Sequence, residues 1–98
     1  MTRRDKVKRI REMEARFDRV AAAIAELSPA LEKYADVQED ISVLEHYMDS
    51  GDWRCDFEAD EAGRLPANLK RGILSEDGLW NLLSDHRDVI ERIKALKF

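Results

Sequence analysis

Apolar residues recur along the first half of the chain at Ile10, Met13, Phe17, Val20, Ile24, Leu27, Leu31 and Tyr34, in steps of three and four without a fault. That spacing holds them on one side of an α-helix and writes a heptad seam, with Ile10, Phe17, Ile24 and Leu31 at a and Met13, Val20, Leu27 and Tyr34 at d. The d series continues through Ile41 and Met48, but the next two a positions are Gln38 and Glu45. Val37 and Leu44, at g, take over. The stripe therefore rotates around the helix after Tyr34, and the two halves of the segment face different partners.

Pro29 sits inside this pattern, where a proline removes a backbone hydrogen bond and costs about 3 kcal/mol. In the register above it is an f position facing water. The Ala25 carbonyl it frees can bond solvent, and the helix can bend with the proline on its convex side. The pattern thus predicts one Pro-kinked helix over residues 3–49. The alternative is a three-helix bundle broken at Ser28–Pro29, with Ser28 as cap and Pro29 at the first helical position. It needs a reversal with almost no loop residues and no glycine, whereas helix connections commonly use roughly 2–8 residues.

The first helix is predicted to end at "YMDSGDW", where Gly51 can take the left-handed conformation of a C-terminal cap. A last helix is predicted over residues 76–97. The Ser75 hydroxyl is placed to cap it, and Glu76 and Asp77 in its first turn with Arg92, Lys94 and Lys97 near its end complement the helix dipole. Leu79, Leu82, Leu83, His86, Val89, Ile90, Ile93 and Leu96 form its inward face, which is expected to pack antiparallel on the second half of the long helix. At about 1.5 Å per residue this helix covers roughly 33 Å, against roughly 70 Å for the first. Ile10, Met13, Phe17, Val20, Ile24 and Leu27 are left uncovered, and such a stripe is the expected seam of a homodimer.

Between these helices lies a connector, residues 50–75, which is longer than idle loops in small domains. Trp53, Phe57, Leu65, Leu69, Ile73 and Leu74 give it apolar anchors, so it is expected to be ordered. "LPANLKRG" predicts a short helix near 66–71, with Pro66 at its start and Gly72 at its end. Lys70 and Arg71 then come within reach of Asp56, Glu58, Asp60 and Glu61. Pairing among these charges folds the connector back over the open end of the helical pair. Trp53, Asp56, Asp60, Glu61, Lys70 and Arg71 are the candidate partner-binding surface.

Composition narrows the class without changing this outline. At 98 residues the chain is one domain. Its 44% apolar and 39% charged residues with only four glycines point to a solvated all-α protein. Charge is unevenly spread. Residues 1–19 carry eight Lys/Arg and four Asp/Glu, a balance of +4, while residues 26–61 carry two against twelve, a balance of −10. An antiparallel homodimer lays the basic end of one chain near the acidic middle of the other, so electrostatics favours antiparallel pairing. No apolar run is long enough for a membrane span, and the basic start lacks the apolar core of a secretory signal. The single cysteine, Cys55, permits no internal disulfide. A cytoplasmic location is expected.

Four segments in order, "RIREME" (9–14), "YMDSGDW" (47–53), "DEAGRLP" (60–66) and "LKRGILSED" (69–77), resemble the bacterial domain of unknown function family 4298. The resemblance spans about residues 9–83, and the "LKRG" and "LSED" pair is its most specific part. Pro29 lies outside the pattern. The resemblance implies no activity and no cofactor.

Each chemical reading has an ordinary counterpart. Asp52, Asp56, Glu58, Asp60 and Glu61 suggest a hard cation, but with Asp56 as the first position of an EF-hand loop, Glu61 falls where glycine must turn and Ala67 where the bidentate glutamate belongs. Glu26, Glu32, Asp36, Glu39 and Asp40 have helical spacing without the paired-glutamate motif of magnesium-dependent pyrophosphatases. The acidic run reads as a solvated or cation-paired surface, and no metal site is assigned. Cys55 has neither His46 nor His86 adjacent in sequence to activate it and reads as a small buried thiol. The two histidines read as packing or hydrogen-bonding groups, and no catalytic residue is assigned. "RRDKVKRIR" could meet phosphates, yet it lacks interleaved aromatics in an acidic chain. The sequence therefore reads as a helical interaction or structural module forming a homodimer, with its connector free to bind another protein. A metal-dependent phosphate-chemistry enzyme using the acidic connector is the alternative, and weak nucleic-acid binding through the basic helix end a second one.

Overall fold

Thr2 starts the first helix. Its hydroxyl accepts a hydrogen bond from the Asp5 backbone N–H at 3.2 Å, and its own N–H donates to the Asp5 carboxylate at 3.3 Å. This reciprocal capping box satisfies two N–H groups that a helix start otherwise leaves free. In the computed structural model, which describes residues 2–98, helix α1 runs Arg3–Asp36 and continues through Pro29 as α-helix. The break at Ser28–Pro29 does not occur. The helix does not run unbroken to residue 49, however. Val37 stands between helices at φ −95° and ψ 4°, and α2 follows over Gln38–Asp49.

The interruption falls where the apolar stripe changes its heptad positions, next to the polar a position Gln38. The Gln38 side-chain amide donates to the Tyr34 carbonyl at 2.8 Å, taking up an acceptor at the end of α1. Glu39 and Asp40 lie in the first turn of α2, where negative charge suits the positive end of a helix dipole. A new helix start is thus written into the middle of the longer pattern.

By backbone proximity the chain divides into two units, one ending at Gln38 and the other spanning Glu39–Phe98. The first consists of α1, in which no residue is buried. Phe17 is 70% exposed, and Ile10, Met13, Val20, Ile24, Leu27 and Leu31 are also exposed.

In the second unit α2 is followed by α3 (Asp52–Glu61), a 3-10 turn η1 (Gly72–Leu74) and α4 (Gly78–Ala95). Its core is small, with Leu74, Leu79 and Leu83 buried. The η1 backbone lies against both α3 and α4. Around this centre Ile41, Leu44, Tyr47 and Met48 of α2, Trp53 and Phe57 of α3, and His86 and Ile90 of α4 are half-buried. Ile41, Leu44 and Met48 on the half-buried side of α2 are positions the heptad reading places at d and g, while the element pairs whose backbones come close are η1 with α3 and η1 with α4. The covered stripe of α4 is narrower than expected, because Leu82, Val89, Ile93 and Leu96 remain exposed.

Gly51 takes the left-handed conformation expected of it, at φ 91°. It ends α2 and at the same time begins α3, a helix within a connector whose sequence predicts order but a helical turn only near 66–71. The close of α3 is a full Schellman arrangement. Gly63 has φ 69°, its N–H donates to the Asp60 carbonyl at 3.0 Å, and the Arg64 N–H donates to the Ala59 carbonyl at 3.0 Å.

Two further expectations are corrected. No helix forms over 66–71. Pro66 is followed by a turn closed by the Leu69 N–H on the Pro66 carbonyl at 3.2 Å, and the helical turn comes later, at η1. The stretch is held by the turn after Pro66 and by the Arg71 guanidinium, which donates to the Pro66 and Leu69 carbonyls, rather than by a helical ladder of backbone bonds. Nor does the last helix start at 76 under a Ser75 cap. The Ser75 N–H closes η1 on the Gly72 carbonyl at 3.2 Å, and α4 begins at Gly78 behind Asp77, which makes no side-chain cap bond.

Candidate functional site

The connector is held by three side chains that reach out of α2, α3 and the segment before η1. Tyr47 on α2 donates its phenol hydrogen to the Asp56 carboxylate on α3 at 2.5 Å. One turn earlier on α3, Trp53 donates its indole N–H to the Ile73 carbonyl in η1 at 2.8 Å. Trp53 also stacks on Phe57, with centroids 5.1 Å apart and planes at 17°, an offset pairing that aromatic quadrupoles favour. Arg71 pairs with Asp60 across the loop and donates to the Pro66 and Leu69 carbonyls as well. One guanidinium fork therefore fixes the end of α3, the proline turn and its own approach to η1, a use of several rigid donors that lysine cannot copy.

Burial and the nearby carboxylate both act on Tyr47. Loss of solvent, then the hydrogen bond to Asp56 and the charges of Asp56 and Asp52, push its phenol up to about 12 from 10. Each cause disfavours the phenolate, so Tyr47 stands as a donor at neutral pH.

Of the candidate surface residues, Trp53, Asp56, Asp60 and Arg71 are thus engaged in holding the connector together. Glu61 and Lys70 are exposed at its edge. The acidic residues do not gather: among the described residues no three His, Cys, Asp or Glu side chains are placed to hold one metal ion. Cys55 is exposed rather than buried, on the outer side of α3. The hydrogen-bonded residues Trp53 and Asp56 flank it in sequence along that short helix. His46 is exposed on α2 and His86 half-buried on α4. Among the described residues no helix is long and apolar enough to cross a membrane.

Beside the connector lies an open cleft of about 600 Å³, lined by Met48, Asp49, Gly51, Trp53, Arg54, Glu76, Asp77 and Trp80. The start of α4 and the α2–α3 junction at Gly51 form its walls. Both tryptophans of the chain line it, and Trp80 is 58% exposed. Sequence reasoning passes over Trp80 because it falls off the inward stripe of the last helix. An aromatic residue on the outer face, one turn from Glu76 and Asp77, is the signal that could have found it.

Residues 10–96 match the family described as Domain of unknown function (DUF4298). The chain belongs to this family. The DUF4298 match takes in the α1 seam from Ile10, the whole connector with its Tyr47, Trp53, Asp60 and Arg71 anchors, and α4, so the site just described lies entirely within the family region. No curated protein and no solved structure matches the chain.

Proposed function

We propose that this DUF4298 protein is a helical interaction module that pairs with a second copy of itself through α1. The observation that carries the reading is the uncovered seam: Ile10, Met13, Phe17, Val20, Ile24 and Leu27 share one side of a helix of 34 residues that buries none of them. A single helix draws most of its stability from packing of its apolar side, and a second copy supplies the same seam. Antiparallel pairing is favoured, because it sets the basic residues 1–19 of one chain near the acidic stretch that starts at Glu26 in the other. The ordered connector leaves Glu61, Lys70 and the face around Trp53 free to meet another protein.

Sedimentation equilibrium at micromolar concentration tests this pairing. The expected mass is twice 11.4 kDa, falling to the single-chain value in Phe17→Glu, which places a charge in the middle of the seam. Added salt is expected to weaken the pair by screening the attraction between its unlike ends. A native chain that sediments as a monomer would overturn the reading.

A further inference from the structure

The cleft beside the connector carries groups that the fold uses only in part and the α1 seam not at all. Its lining combines two indoles, Trp53 and Trp80, with three carboxylates, Asp49, Glu76 and Asp77, and one cation, Arg54. Among the described residues none of these four charged groups makes an ion pair. Asp77 stands at the N-cap position of α4 without bonding a helix N–H, so its carboxylate is not consumed by the fold. Trp53 has its N–H committed to Ile73 and one ring face to Phe57, which fixes the ring while part of it still lines the cleft.

Rigid aromatic surface beside unpaired carboxylates is the surrounding that a cationic side chain seeks. The ring quadrupole attracts the cation, and the carboxylates accept its hydrogen bonds. Arginine fits this combination better than lysine, because its planar guanidinium lies flat on an indole while its edge donates to carboxylates. A bare metal ion fits it worse, since no three acidic side chains here converge on one point. The volume lies within the roughly 300–1,000 Å³ of ordinary ligand clefts. We propose that the Trp53–Trp80 cleft docks an arginine side chain from a basic segment of a partner protein. Every lining residue lies within Glu39–Phe98, so the docking stands independently of whether α1 pairs.

Because the chain's only two tryptophans both line the cleft, tryptophan emission, excited selectively beyond the tyrosine band, reports on this place. The full chain is titrated with a short glycine peptide bearing two arginines, and in parallel with the same peptide carrying neutral citrulline in their place. A saturable fluorescence change with the arginine peptide, at least about tenfold weaker with citrulline, is the expected result. The double substitution Glu76→Gln with Asp77→Asn is expected to weaken the arginine peptide about tenfold. Trp80→Leu, at an exposed position that leaves the core intact, is expected to remove most of the binding followed through Trp53. Equal response to both peptides, an unaltered affinity in the double variant, or no saturable change with the arginine peptide at millimolar concentration would each overturn the proposal.

Discussion

The Trp53 indole N–H meets the Ile73 carbonyl at 2.8 Å across twenty residues of chain, and this bond ties α3 to η1. It spans more of the chain than the Tyr47–Asp56 and Arg71–Asp60 bonds, and it joins the first helix of the segment to its last turn. Because Ile73 is 40% exposed, its carbonyl can be hydrated when the donor is lost. Trp53→Phe keeps an aromatic ring against Phe57 and removes the donor. The expected cost is about 1 kcal/mol, at the ordinary level for one net hydrogen bond, measured as a shift in urea midpoint with the slope unchanged.

Arg71 is more deeply involved, since it serves Asp60 and two carbonyls at once. The ion pair is partly screened, with the side chains of Arg71 and Asp60 33% and 24% exposed. Arg71→Ala is expected to destabilise the chain by about 1–3 kcal/mol, the range for losing charge-assisted bonds and leaving a half-buried carboxylate without its cation. Arg71→Lys is expected to recover only part of this, because a single ammonium cannot span the three acceptors. Thermal melts of the two variants beside the native chain check both statements. Equal stability of the lysine variant and the native chain would show that charge alone suffices.

Tyr47 gives a pH signature. Its phenol is pushed up to about 12 from 10 by burial first and by Asp56 and Asp52 after it. The folded chain therefore holds this proton more tightly than the unfolded chain. The corresponding stability is fully present below about pH 10 and is lost as pH rises toward about 12. In a Tyr34→Phe background, where Tyr47 is the only tyrosine left, the phenolate absorbance is expected to rise with a midpoint near 12. A midpoint near 10 in a chain still folded would contradict the Tyr47–Asp56 bond.

The all-α class, the left-handed Gly51 and the Ile10–Leu27 seam were legible in the sequence, which also favoured a continuous helix through Pro29 over the break at Ser28–Pro29. These are local matters. Apolar period fixes which side of a helix is apolar, an f-position proline loses a bond that water replaces, and a turn that needs positive φ selects glycine. The remaining features depend on contacts that a linear pattern does not carry. The interruption at Val37, the helix Asp52–Glu61 and the start of α4 at Gly78 are not written in the apolar spacing, and side-chain bonds to backbone acceptors accompany the first of these and the turn after Pro66. Gln38 takes the Tyr34 carbonyl, and Arg71 takes those of Pro66 and Leu69. Charge order along the chain brought Arg71 within reach of the acidic run, but the choice of Asp60 among its neighbours came from the Schellman turn at Gly63, which reverses the chain just past that residue. The cleft was still less legible. Trp53 and Trp80 lie far apart in sequence, and they line one cleft in a fold where η1 lies against both α3 and α4, a long-range outcome that no spacing encodes.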